Sequence, residues 1–167
     1  MVYYFNKNFF TNFFLIILIF LLDRFSKFYV IFQSEKNFSA DLFTSKFLNI
    51  SLIWNKGIAF GLLSFDESYF YNILTILILI IIIVIFFMIL KSRGLKKYSF
   101  LMILGGALGN LYDRIFFKAV PDFIDFHIGN FHWFIFNVSD IFISLGVLFL
   151  IILELINSKK DKIDEKN

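Results

Sequence analysis

The chain has 167 residues, of which 59% are hydrophobic and 17% charged, with a net charge of +3. A soluble domain is roughly 25% charged and under half apolar, so a chain this small carries more apolar surface than one core can hide, and lipid is the natural solvent for the rest. Cysteine is absent, which excludes a disulfide, a thiolate metal site and a cysteine nucleophile. The basic residues lie near segment ends, which points to anionic lipid headgroups rather than to nucleic acid. The 27 phenylalanines, with the many Ile, Lys, Asn and Tyr residues, are read as the product of AT-rich codons rather than as an aromatic binding surface.

A helix needs about 20 apolar residues to cross a bilayer, and four segments have that length: residues 9–32, 69–90, 98–117 and 134–156. Each must be helical in lipid, because an isolated strand would leave its backbone groups unpaired. The first is too long for a cleavable signal peptide, and no small-residue cleavage site follows it. The expected fold is an all-α integral membrane protein: a four-helix transmembrane bundle with a small extracytoplasmic β element. The bundle forms a single membrane domain, 1–157, and the charged tail 158–167 is expected to be flexible.

Basic residues in short loops stay in the cytoplasm. The loop Lys91-Ser92-Arg93-Gly94-Leu95-Lys96-Lys97 and the lysines of the tail therefore belong inside, as do both termini. The segments 33–68 and 118–133 then lie outside. Within the outer loop 33–68, residues 47–53 alternate apolar and polar for part of their length, a weak strand signal.

Ionisable residues at membrane depth are costly and mark candidate sites. Asp23, Arg24, Lys27, Asp113, Arg114, Asp122, Asp125 and Asp140 all fall at the outer ends of spans or beside them, and Asn55, Asn110 and Asn137 share their layer. Four separate regions converge on one membrane face. A transporter would need polar residues through the full depth, yet residues 76–90 contain none, and a mere scaffold gives no reason for the layer. The two histidines, His127 and His132, form no His-Glu-x-x-His helix, so a zinc peptidase is not expected, and both are read as interface residues with no metal role. No Gly-x-Ser-x-Gly elbow is present. Ser26 and Lys27 are sequence neighbours, which do not face each other on a helix.

What remains is a pair of carboxylates, which can hydrolyse a peptide without any cofactor. Two aspartates held close keep one proton between them; the ionised one deprotonates water and the protonated one polarises the carbonyl. Asp23 and Lys27, spaced i, i+4, suit an intrahelical ion pair. Asp113 is neutralised by Arg114 or caps its helix. Asp122 follows Pro121, the only proline, and is held in an extended position. Asp125 lies in a mobile-looking stretch. Asp140 is three residues after Asn137 on one helix face. These considerations favour Asp140, with Asp122 slightly ahead of Asp125.

Five blocks then become specific: Leu22-Asp23-Arg24-Phe25-Ser26-Lys27, Asn55-Lys56-Gly57-Ile58-Ala59-Phe60-Gly61, Gly105-Gly106-Ala107-Leu108-Gly109-Asn110-Leu111-Tyr112-Asp113-Arg114, Val120-Pro121-Asp122-Phe123 and Phe136-Asn137-Val138-Ser139-Asp140. Their order resembles the motifs of the bacterial lipoprotein signal peptidases, also called signal peptidase II. The resemblance implies an aspartic endopeptidase with Asp122 and Asp140 as its dyad, supported by Asp23, Lys27, Asn55, Gly57, Asn110, Arg114 and Asn137. It implies diacylglyceryl-modified prolipoproteins as substrates in the bacterial cytoplasmic (inner) membrane; a monomer surrounded by membrane lipids is expected, and the topology puts the site near the outer leaflet. Three positions depart from the family pattern: Lys118 stands for a usual Gly, Ser139 for a usual Ala, and Phe134 for a frequent Pro.

Overall fold

A computed structural model describes residues 7–57 and 68–164. Four helices and four strands follow in the order α1 (Lys7–Asn37), β1 (Asp41–Thr44), β2 (Leu48–Asn55), α2 (Ser68–Lys91), α3 (Gly94–Phe117), β3 (Val120–Ile128), β4 (Phe131–Phe136) and α4 (Val138–Asp164). Among the described residues three helical stretches are long and apolar enough to cross a membrane: Tyr71–Lys91, Gly94–Phe117 and Val138–Lys159. In α1 the apolar run is interrupted by Asp23, Arg24 and Lys27.

Helix α3 is the hub and packs against α1, α2 and α4. Its glycines explain how. A Cβ on Gly106 would stand 2.5 Å from the Ser139 carbonyl oxygen, and one on Gly109 would meet Ser139 Oγ and Asp23 Oδ2. Small residues let membrane helices approach backbone to backbone, and here they bring α1 and α4 onto the same face of α3. The core joins Ile82, Ile85 and Ile89 of α2 to Leu101, Leu104 and Ala107 of α3. The opposite surfaces of the helices are apolar and exposed, as at Phe14, Phe87 and Leu90, which is the inversion that lipid allows and water does not.

The four strands form one antiparallel sheet in the order β1-β2-β3-β4. Pro121 lies opposite Trp54 and Asp122 opposite Ile53, with an irregularity between Ile50 and Ile53. The β3–β4 hairpin turns at Gly129, which takes a left-handed φ of 59°, a conformation that costs glycine little.

The sheet is larger than the alternation at 47–53 foretells. Residues 120–136, expected to be a loop running into the fourth span, form two strands instead. Phe131–Phe136 is a continuous apolar run apart from one histidine, and such a run cannot be told from a helix start by periodicity. Helix α4 therefore begins at Val138 rather than at 134. Asp125, expected in a mobile stretch, sits buried in β3. At the other end α4 continues to Asp164, so residues 158–164, expected to be flexible, are helical. Helix α1 likewise runs five residues beyond 32, to Asn37.

Candidate active site

The site assembles where the sheet meets the middle of α1, the last turns of α3 and the first turn of α4. Asn137 is the residue before α4, and Asp140 stands in its first turn. The Asn137 side-chain oxygen accepts the Asp140 N–H at 3.1 Å, and Asp140 Oδ2 accepts the Asn137 N–H at 3.2 Å. This is a reciprocal capping box, with Asp in place of the usual Glu or Gln. It satisfies two otherwise orphaned donors and fixes the Asp140 carboxylate at the positive end of the helix dipole.

The same Asn137 reaches across to the sheet. Its Nδ2 donates to Asp122 Oδ1 at 2.6 Å. Asp122 Oδ2 accepts a second amide hydrogen, from Asn55 Nδ2 of β2, at 2.8 Å. Asn55 Oδ1 accepts the Gly57 N–H at 2.7 Å, and the Gly57 carbonyl accepts a hydrogen bond from Arg114 Nη2. Both aspartates are buried, Asp122 at 3% exposure and Asp140 at 6%. Burial raises the Asp122 carboxyl from its ordinary value, and the charge of Asp140 raises it further. The amide hydrogen bonds from Asn55 and Asn137 and the charge of Lys27 oppose that rise; the outcome is about 6.

Behind the pair lies a buried ionic cluster. Lys27 Nζ bonds Asp113 Oδ2 at 2.7 Å and Asp23 Oδ1 at 3.0 Å. Arg24 Nη2 bonds Asp23 Oδ2 at 2.6 Å and Asp113 Oδ2 at 2.7 Å, and its Nη1 bonds Asp113 Oδ1. Two cations therefore meet two carboxylates, and an uncompensated buried charge is avoided. Asn110 connects this cluster to the pair: its Oδ1 accepts from Lys27 Nζ and its Nδ2 donates to Asp140 Oδ1, each at 2.8 Å. Asp23 Oδ1 also accepts the Ser139 N–H at 3.0 Å, which ties α1 to the first turn of α4.

All nine residues expected to form the site therefore belong to one connected network. Asp122 and Asp140 share Asn137, and Asp23, Lys27, Asn55, Gly57, Asn110 and Arg114 join them from three elements, α1, β2 and α3, and a loop. The expected ion pair of Asp23 with Lys27 is present. Asp113 differs from expectation. It is paired with Arg24 and Lys27 of α1, while Arg114 faces Gly57. Arg24, counted in the polar layer but given no role of its own at the site, bridges Asp23 and Asp113. Asp125 lies apart from the pair, with its carboxylate bonded to His132 Nδ1 at 2.8 Å and to Asn49 Nδ2 at 3.3 Å. Lys118 caps the end of α3 with a left-handed φ of 57°, which explains why glycine suits that position.

Two apolar grooves border Asp140. One, of about 250 Å³, lies between α2, α3 and α4, lined by Ile82, Ile103 and Ile143, with Asn110 and Arg114 beside Asp140. The other, of about 360 Å³, is lined by Trp133, Phe134 and Phe136 together with Ile141 and Leu145.

Comparison with known proteins identifies the family and the fold. The family model of signal peptidase (SPase) II matches residues 15–156. The lipoprotein signal peptidase of Pelagibacter ubique is 53% identical over 161 residues, covering 96% of each chain. That of Francisella tularensis subsp. mediasiatica is 42% identical over 152 residues, covering 89% of this chain and 93% of its own. A bacterial membrane enzyme solved by the in meso method at 2.3 Å resolution superposes with a TM-score of 0.71, at 29% identity, with 90% of each chain covered. By the extent of the family match and the identity to its members, the chain belongs to the signal peptidase II family, the lipoprotein signal peptidases.

Proposed function

We propose that the chain is an intramembrane aspartic endopeptidase that removes the signal peptide from prolipoproteins, cutting just before a diacylglyceryl-modified cysteine. The observation that carries the mechanism is the pair of buried carboxylates held by one asparagine, Asn137. One proton is shared by the pair. The ionised carboxylate takes a proton from water, which attacks the scissile carbonyl. The protonated one hydrogen-bonds to the carbonyl oxygen and then returns a proton to the leaving amine. No metal or cofactor enters this chemistry. The pair titrates as a unit, so the proton belongs to both residues.

The apolar grooves at Asp140 suit a substrate that carries both an apolar signal helix and acyl chains, entering sideways from the bilayer. Arg114 Nε and Nη1 have no hydrogen-bond partner among the described residues, and Arg114 lines the groove beside Asp140. A substrate backbone carbonyl would satisfy those donors. In this reading α1 is the fourth span, its charged patch neutralised internally by Asp113 of α3. The protein lies in the bacterial inner membrane as a monomer, with both termini and the α2–α3 loop inside and the sheet outside. The site then sits near the outer leaflet.

A single assay tests the specificity. Purified protein in detergent is given one prolipoprotein with and without its diacylglyceryl group. Cleavage of the modified form alone, before the cysteine, is expected. Equal cleavage of both forms would contradict the substrate assignment.

A further inference from the structure

We propose that Asp125, His127 and His132 form a binding site for a divalent transition cation of the zinc class on the β3–β4 hairpin. The three side chains each offer one ligand atom, and these atoms lie within 4.8 Å of one another. The backbone places them there. His127 and His132 are directly opposed in the strand register, and their rings stack with centroids 5.0 Å apart and planes 21° from parallel. Asp125 and His127 are two residues apart on β3 and so share a face of the sheet, and the register shift beside them places its extra residue on β4, next to His132.

Two imidazoles and a carboxylate are the protein ligands of an open tetrahedral zinc site, with water as the fourth ligand. At metal–ligand bonds of about 2.1 Å the ligand atoms of a tetrahedron stand about 3.4 Å apart. His132 already has Nδ1 at 2.8 Å and 3.1 Å from the two Asp125 oxygens, and its side chain is half exposed, so it can turn to open that distance. Two further observations point to a ligand. His127 Nδ1 is buried and has no partner among the described residues. Asp125 is 5% exposed, and Asn49 Nδ2 bonds its Oδ2 at 3.3 Å, the outer-partner arrangement that orients a ligating carboxylate. A cation would satisfy the nitrogen and neutralise the carboxylate together.

The site is separate from the catalytic pair. Asp122 is held by Asn55 and Asn137, and Asp125 by Asn49 and His132, two separate sets of side-chain partners among the described residues. The cation would act as a clip that joins the two strands of the hairpin and would take no part in hydrolysis.

The test uses the full chain without a histidine tag, stripped with EDTA, in detergent micelles. Equilibrium dialysis against micromolar zinc chloride, followed by elemental analysis, should give one zinc per chain, and cobalt in its place should show visible tetrahedral bands. Zinc should raise the unfolding midpoint of the unaltered chain. His127→Gln and His132→Gln should each weaken binding by more than the roughly 10–100-fold that losing an outer partner costs, while helical circular dichroism stays unchanged. Failure of the unaltered chain to hold zinc would overturn the site. So would equal zinc binding by a folded His127→Gln/His132→Gln double variant, because the metal would then be held elsewhere.

Discussion

Asn137 and Asp140 cap one another: each side chain accepts the backbone N–H of the other, at 3.1 Å and 3.2 Å. A residue proposed to do the chemistry is thus also part of the helix start, and Asn137 carries Asp122 on its remaining amide hydrogens. The placement of the two carboxylates and the start of α4 are one construction here.

Asn137→Ala should therefore do two things at once. It should lower the unfolding midpoint in detergent through loss of a cap, a cost of about 1 kcal/mol. It should reduce cleavage far more than that cost explains, since Asp122 and Asp140 lose their common partner. Asn137→Ser, which can still cap, should recover the midpoint without recovering the activity. Recovery of both would reduce Asn137 to a structural cap.

The titration of Asp122 has a definite direction. Burial is the first cause of its rise to about 6 and the charge of Asp140 the second. Asp140→Asn removes only the second. Asp122 should then titrate lower than in the unaltered chain yet still above its ordinary value of 3.8. Carboxyl-carbon NMR on the protein in micelles reads this directly. An Asp122 value that rises in the variant would mean that the two groups do not interact as described.

Lys118 is a long charged side chain in a left-handed conformation at the end of α3. The left-handed region costs an L-residue about 1–2 kcal/mol, so Lys118→Gly should stabilise the protein by about 1 kcal/mol after allowing for the greater freedom of glycine when unfolded. The check is its unfolding midpoint in detergent; a fall would show that the lysine makes a compensating contact.

Much of this was legible in the sequence, and the limits have physical causes. The i, i+3 spacing of Asn137 and Asp140 and the i, i+4 spacing of Asp23 and Lys27 are local, and both pairs meet. Glycines at 105, 106 and 109 announce close helix packing, which they provide. The partners of Asp113 were not legible. Its sequence neighbour Arg114 turns about 100° away on a 3.6-residue helix, so its charge is met from α1 instead. Strand β4 was hidden because a short apolar run reads equally well as the start of a span. The meeting of Asp125 with His132 depends on that hairpin and was hidden with it.

Because the chain has no cysteine, single introduced cysteines report topology cleanly. Lys46→Cys, in the β1–β2 turn, and Asn130→Cys, in the β3–β4 turn, should react with a membrane-impermeant maleimide on intact cells. Arg93→Cys, between α2 and α3, should react only after the membrane is opened. The opposite pattern would invert the protein and move the site to the cytoplasmic leaflet.

The dyad itself is tested most directly by cleavage of a diacylglyceryl-modified prolipoprotein by Asp122→Asn, Asp140→Asn and the double variant, each confirmed to be folded and inserted. Asparagine keeps size and hydrogen bonding but cannot exchange the proton. Groups that act as a unit are not additive, so each single change should abolish most activity and the double change should cost little more. Asp125→Asn should cost far less than either. Near-normal cleavage by Asp140→Asn would contradict the aspartic mechanism.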